Sequence, residues 1–367
     1  MVHKFDLQST NYMRDPSPTL AAMRAAGPVI RMKIPLMGKV WCTTTHEAVS
    51  DFLKSSDKFA SDGRNVAGNH SAIPRWMPKN MKLLAENMLL MDDPDHRRLR
   101  KLVDGPFLAR SIDAYRPDVT RIADDLLDQM EREGNNDLVS GFARALPLQV
   151  ISDILGLAGQ DREQFLNWTD KMTKSLGIMM LIRIIPALGK MIHYIRGEIA
   201  AASAGERKGL LVDLVHAEAD GERMSEDELV AMIAILFVAG HETTTHLLST
   251  GVATLLAHPA ALEELKADWS LAPKVVEEMH RLNSPVQMTK PRLVRDDMEY
   301  FGQQLKRGDR IIASLAAANA DPAMFANPEA FDIHRDNAAR HAGFGGGIHL
   351  CLGLHLARAE GQIALER

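Results

Sequence analysis

Only two cysteines, Cys42 and Cys351, occur in the 367 residues, far apart in sequence. That scarcity excludes a disulfide framework and a cysteine-rich zinc site, so any metal held through sulfur has a single thiolate to hold it. No block of lysine and arginine is present and the formal net charge is −5, which argues against nucleic acid as a partner. Apolar runs are short as well. The longest, residues 177–189 (broken by Arg183 and Pro186) and 229–240, fall below the roughly 20 residues a bilayer span needs. Residues 1–10 carry charge and no apolar core, so neither a signal peptide nor an amino-terminal membrane anchor is expected, and the cytoplasm is the default location. Aromatic residues make up only 5% of the chain, whereas methionine occurs 20 times. What remains, 46% hydrophobic and 25% charged, is ordinary globular material large enough to bury a sizeable cofactor.

The most informative stretch lies near the end, Phe344-Gly-Gly-Gly-Ile-His-Leu-Cys351-Leu-Gly353, running directly into a helical pattern over residues 354–367. Consecutive glycines permit positive φ and a close approach of backbone to a flat group. A cysteine at a helix start is favoured as thiolate by the helix dipole and the free N–H donors, and thiolate is the form that binds soft metals. Cys351 read as a small buried apolar residue is the plain alternative. A nucleotide loop fails, because G-x-G-x-x-G counted from Gly343 meets Ile348 and no Gly-Lys-Ser/Thr follows.

Taken in order, residues 29–35 and 39–45 alternate apolar and polar side chains around Met37-Gly38, which predicts a strand pair with Cys42 in its core. A helix is expected over residues 47–55, then a long irregular segment over 61–80 that includes Trp76. Pro94 and its flanking acids mark the start of a helix that places His96 and Arg100 one turn apart, able to grip one anion together or simply to be solvated. Arg97, Arg98 and Lys101 point elsewhere and offer a basic surface. Helical periodicity runs from residue 118 to about 218, with breaks at 133–136 and 204–209 and a very apolar stretch at 176–195.

Ser225-Glu-Asp-Glu228 is a capping box opening a helix that reaches toward His258, about 50 Å at 1.5 Å per residue. Halfway along, Ala239-Gly240-His-Glu242-Thr243-Thr-Thr is poor helix material. Either a kink or a local widening that faces an acid and a hydroxyl into a cavity, a proton route, accounts for it. Glu278 and Arg281 sit at i and i+3, which alone reads as a surface ion pair. A turn at Gly302 and a strand at 310–314 form a minor β region.

The order and spacing of these pieces resemble the bacterial cytochrome P450s, the haem-thiolate monooxygenases. Phe344-Gly-x-Gly-x-His349-x-Cys351-x-Gly353, Glu278-x-x-Arg281, Ala239-Gly240-x-Glu242-Thr243 and His96-x-x-x-Arg100 carry the likeness, which covers essentially the whole chain. The resemblance implies a mainly α fold with a minor β region, one domain over residues 1–367. It implies haem b as cofactor with Cys351 as its axial thiolate and metal ligand. His96, Arg100, Arg292 and His349 match positions that hold the haem propionates, while Phe344, Gly345 and Gly353 belong to the thiolate loop. Ala239 and Gly240 would line the oxygen groove, and Glu242 and Thr243 would manage proton delivery. Glu278, Arg281 and Arg335 resemble a buried structural charge network. Asn319-Ala320-Asp321 carries alanine where the family often has a basic residue. The chain ends at Arg367 within a helical pattern, where the family usually continues with strands and a loop that close the substrate pocket.

The expected reaction inserts one oxygen atom from O2 into a lipophilic small molecule, with electrons from a separate ferredoxin-type donor. The basic trio Arg97, Arg98 and Lys101 is a candidate dock for it. Residues 76–77, 176–180 and 285–288 would line an apolar pocket, with Gln287 orienting one polar group. The rival readings are a peroxide-driven peroxygenase, which has no need of Glu242-Thr243, and a catalytically silent haem-binding protein.

Overall fold

Alternating side chains around Met37-Gly38 become an antiparallel pair, Val29–Ile34 with Gly38–Thr43, turned by Gly38 at φ 77°. This pair lies within a six-stranded mixed sheet whose order is Val2–His3, Val29–Ile34, Gly38–Thr43, Arg310–Ala313, Arg292–Val294 and Phe59–Ala60. The computed structural model describes residues 2–35, 37–66, 77–157, 168, 178–219 and 221–367, so the expectations placed on Trp76, Leu176 and Gly177 lie outside the described residues.

Both faces of the sheet are buried, and the pleat sorts the side chains. Val29, Trp41, Ile311 and Ala313 pack with Phe52, Phe59 and Tyr300 on one face. Ile30, Met32, Val40, Cys42 and Ile312 pack with Tyr12, Leu20 and Met23 on the other. Cys42 is fully buried, and burial pushes its thiol up to about 12, so it stays a protonated core residue.

Two compact units make up the chain. The first comprises residues 1–72 and 246–354, the second residues 73–245 and 355–365. The sheet, the His46–Lys54 helix, the Ala272–Leu282 helix and the glycine turn belong to the first. In the second, Ala109–Glu133 presents Val119, Ile122, Ala123 and Leu126 as one buried stripe at helical spacing. Expected to begin at residue 118, this helix starts nine positions earlier and carries Pro117 inside it. Proline removes one amide donor, and the surrounding helix tolerates that loss.

Ser225 and Glu228 form the reciprocal capping box: the Ser225 amide donates to Glu228 Oε2 at 2.8 Å, and the Glu228 amide to Ser225 Oγ at 3.3 Å. The helix they open, Glu226–Ala257, continues unbroken through residues 239–245, so the widening anticipated there is absent. Thr243 and Thr245 donate their hydroxyls to the carbonyls of Ala239 and His241, at 2.7 and 2.9 Å, and so satisfy themselves along the helix. By length and composition this helix is apolar enough to cross a bilayer, a span the sequence hid because polar residues divide it. Yet 56% of its most apolar stretch is buried inside the protein, as in a core helix.

Candidate functional site

The C-terminal end of the His46–Lys54 helix is where the first unit gathers its share of the expected residues. Gly345 and Gly347 adopt φ of 70° and 65°, conformations that favour glycine, and the Cys351 amide donates to the Phe344 carbonyl at 2.9 Å, closing the turn. A Cβ at residue 347 would run into the carbonyl oxygen of Leu53. The same carbonyl receives Arg292 Nη1 at 3.4 Å, and the Phe52 carbonyl receives it at 3.1 Å, while the guanidinium lies 5.0 Å from the Phe52 ring centroid. Arg292 is therefore a buried cation beside the cysteine turn, carried there by the three-residue strand Arg292–Val294. That strand pairs with Phe59–Ala60, and the next residue, Ser61, has its Oγ 3.1 Å from His349 Nε2.

Behind the turn lies the charge network. Arg281 donates to both oxygens of Glu278, at 2.7 and 2.8 Å, and Arg335 Nε lies 3.1 Å from each. Both side chains of the Glu278–Arg281 pair are wholly buried, in keeping with the charge network that the resemblance implied and unlike the surface pair that the spacing alone suggests. Arg281 also donates to the Asn319 carbonyl at 2.9 Å, and Asn319 Oδ1 accepts the Ala342 amide at 2.6 Å, so the network reaches the entry of the cysteine turn. Asp321, beyond Ala320, accepts the His46 amide at 2.7 Å and also lies in the field of Arg24.

The second unit holds the rest. On the Asp95–Val103 helix His96 is buried with Nδ1 3.8 Å from Asp93, and Arg100 Nε donates to Asp104 at 2.5 Å. The expected basic surface is largely neutralised. Arg97 pairs with Asp93 at 2.6 Å, and Arg98 is claimed by Glu228 and, at 3.4 Å, by Glu222. Asp93 is one helical turn from Arg97, but Glu222 and Glu228 come from a segment remote in sequence, beyond the reach of local pattern.

Along the central helix Ala239 and Glu242 are exposed and Gly240 and Thr243 partly so, whereas His241 and Thr244 are buried. An open face bearing an acid and a hydroxyl thus sits on an otherwise buried helix. Gly240 faces Ile151, whose Cγ1 would be 3.3 Å from an added Cβ. On the buried side Thr244 meets a residue the sequence reading passed over, Glu360, which is 1% exposed on the Leu354–Glu366 helix. Its only signal is an acid on the stripe formed by Leu356, Ala359 and Ile363. Burial pushes the Glu360 carboxyl up to about 8 from an ordinary 4.5, against a hydrogen bond with Thr244 that pulls it down.

Between those two values the unfolded chain has lost a proton that the folded chain keeps, so rising pH favours unfolding. Stability should fall as pH rises from about 4.5 to about 8, at up to about 1.4 kcal/mol per unit, and then level off. Glu360→Gln removes that slope, so its stability advantage over the parent grows across the window. Urea midpoints measured from pH 5 to 9 check this; parallel profiles would show that Glu360 is not a buried protonated acid.

Gln287, expected to orient a substrate, has its side-chain oxygen occupied by the Tyr12 hydroxyl at 2.7 Å. Among the described residues no group of three or more His, Cys, Asp or Glu is placed to hold a metal ion. A metal at Cys351 therefore needs its other ligands from a prosthetic group. The turn suits one: Cys351 is partly exposed and in no disulfide, it stands ahead of a helix, and a Cβ at Gly353 would meet nothing within 4 Å.

The chain is similar to known proteins over nearly its whole length. The cytochrome P450 family model matches residues 21–367. A polyketide biosynthesis cytochrome P450, PksS of Bacillus subtilis, is 37% identical over 99% of this chain and 89% of its own length. Its solved structure superposes with a TM-score of 0.89, covering 99% of this chain and 90% of that one, at 36% identity. Vitamin D(3) 25-hydroxylase of Pseudonocardia autotrophica is 36% identical over 99% of this chain and 87% of its own. The myxobacterial cytochrome P450 CYP267B1, solved in complex with myristic acid, matches with a TM-score of 0.87 and 34% identity over 98% of this chain and 89% of that one. A cysteine in a glycine turn, tied through Asn319 to a buried Glu–Arg–Arg network, together with a family match over residues 21–367 and relatives at this identity over nearly the full length, places the chain in the cytochrome P450 family, the haem-b oxidoreductases.

Proposed function

We propose that this P450 is a monooxygenase that would hold its haem iron through Cys351 and that inserts one atom of O2 into a C–H or double bond of a lipophilic small molecule. The observation that carries the reading is the Cys351 turn, held shut by the Phe344 carbonyl and pressed against Leu53, with the buried Arg292 beside it. When bound, haem supplies the activation of dioxygen, with the thiolate donating electron density. Arg292, with Nη1 on the Phe52 and Leu53 carbonyls, is a cation for a propionate, and His349, His96 and Arg100 serve the same purpose. Phe344, Gly345 and Gly353 shape the loop around the sulfur, and Ala239 and Gly240 line the side where oxygen enters.

Glu242 and Thr243 move protons in this reading. Glu242, exposed on the open face, collects a proton from solvent, and the Thr243 hydroxyl, whose own hydrogen rests on the Ala239 carbonyl, is positioned to pass one on. Thr243→Ala should lower the fraction of reducing equivalents that ends in product by about tenfold, while consumption of reductant continues. Measuring product per equivalent consumed checks it. Full coupling in the variant would remove Thr243 from proton transfer.

The relatives' own names, a polyketide biosynthesis enzyme, a vitamin D(3) hydroxylase and a complex with myristic acid, support a lipophilic substrate class. Electrons come from a separate ferredoxin-type protein. Because Arg97 and Arg98 are already paired with acids, its docking is not assigned to them. The chain acts as a single catalytic domain located in the cytoplasm.

A further inference from the structure

Beside the cysteine turn two histidines that no motif calls for lie face to face. His280 on the Ala272–Leu282 helix and His341 at the entry of the turn have ring centroids 5.0 Å apart and planes within 2° of parallel. Both are buried. Phe344 packs against the pair, its centroid 4.2 Å from His280 and 5.2 Å from His341. The Gly343 amide donates to His341 Nδ1 at 2.9 Å. That bond leaves Nδ1 as an acceptor and places the ring proton on Nε2, which lies 3.2 Å from Glu277 Oε2. A Cβ at residue 343 would come within 2.9 Å of His341 Nδ1 and 3.0 Å of His280 Nδ1. The two imidazoles therefore also account for a glycine ahead of Phe344.

We infer that His280 and His341 are positioning residues for the thiolate loop: His341 fixes the Gly343 amide, the stacked rings fix the Phe344 ring, and Phe344 accepts the Cys351 amide. The inference deepens the reading of Cys351 as haem ligand and rests on it. An aliphatic side chain at either position would fill space, but it would offer no acceptor to the Gly343 N–H and no flat face to Phe344. Unlike the Glu278 network, which anchors Ala342 from behind, the imidazoles act on the two residues that lead into the turn.

Two substitutions separate the contacts of His341. His341→Asn retains an acceptor near the Nδ1 position, and His341→Gln retains a donor near the Nε2 position. In the full-length haem-loaded protein, two quantities are followed: amide hydrogen exchange over residues 341–350, and the rate at which the ferrous–CO band of thiolate type converts to that of a neutral thiol. His341→Asn is expected within about twofold of the parent on both, and His341→Gln about five- to tenfold faster on both, the factor for one lost hydrogen bond. His280→Leu should accelerate band conversion without exposing the Gly343 amide to the same extent. Parent-like behaviour of His341→Gln, or equal damage from Asn and Gln, overturns the inference. A parent protein that shows no thiolate-type band would instead defeat the ligand assignment, while the exchange pattern would still judge the histidines.

Discussion

Replacing Cys351 with serine is expected to abolish the strongly red-shifted Soret band of the reduced, CO-bound protein while leaving the fold intact. Serine reproduces the size of cysteine, and the bond that closes the turn, from the residue 351 amide to the Phe344 carbonyl, is made by backbone and survives the change. What is lost is the thiolate, and no second sulfur of suitable character replaces it. Cys42 is wholly buried in the sheet core, where its thiol is pushed up to about 12. Oxygenated product should fall below detection in step with the band. Cys42→Ala serves as the control and should keep both. Absorption spectra of the three proteins, loaded with haem under identical conditions, decide the matter. A retained band in Cys351→Ser, or its loss in Cys42→Ala, would move the metal ligand elsewhere.

Glu278→Gln should be the most destabilising single change in the first unit. Glu278 answers two buried guanidinium groups, Arg281 and Arg335, and also accepts the Asp332 amide at 3.0 Å. Neutralising it strands two cations with relative exposures of 1% and 7%. Breaking a buried pair by removing one partner costs about 3–5 kcal/mol, a large share of the roughly 5–15 kcal/mol that holds a domain folded. The loss should extend to haem retention, since Arg281 holds Asn319 and Asn319 holds Ala342. Urea unfolding and haem content after gel filtration measure the two effects. A midpoint near that of the parent would show that the guanidiniums find other support, for instance from the carbonyls of Ala326, Asn327, Pro328 and Ala330 that they already reach.

Local features of the sequence foretold much of this architecture. The hairpin at Gly38, the capping box at Ser225 and Glu228, and the long helix that follows stand where alternation, capping chemistry and periodicity placed them. So does the glycine turn at Cys351. The poor helix formers at 239–245 were legible as an anomaly, but not their resolution, because the threonines satisfy their hydroxyls within the helix instead of opening it. Other features depend on partners distant in the chain. Strands of two or three residues, such as Phe59–Ala60 and Arg292–Val294, are too short to show a period. The acids that neutralise Arg98, the stack of His280 on His341, and Glu360 beneath Thr244 arise only when remote segments meet. Even the helix start at Ala109 was hidden, since Pro117 reads locally as a first-turn residue.

The order of the mixed sheet bears on how the chain can be synthesised. Gly38–Thr43 pairs in parallel with Arg310–Ala313, and Trp41 Nε1 donates to Asp309 Oδ2 at 2.9 Å across a separation of 268 positions. During translation the amino-terminal hairpin therefore emerges long before its central neighbour exists, with one apolar edge open. Residues 73–245, by contrast, lie in one continuous stretch of the second unit and are made in the interval. Such non-local pairing slows folding and prolongs exposure of that edge. The nascent chain is thus most vulnerable to aggregation after the hairpin has left the ribosome and before residue 313 follows it, and yield of this protein should respond to chaperone supply during that window.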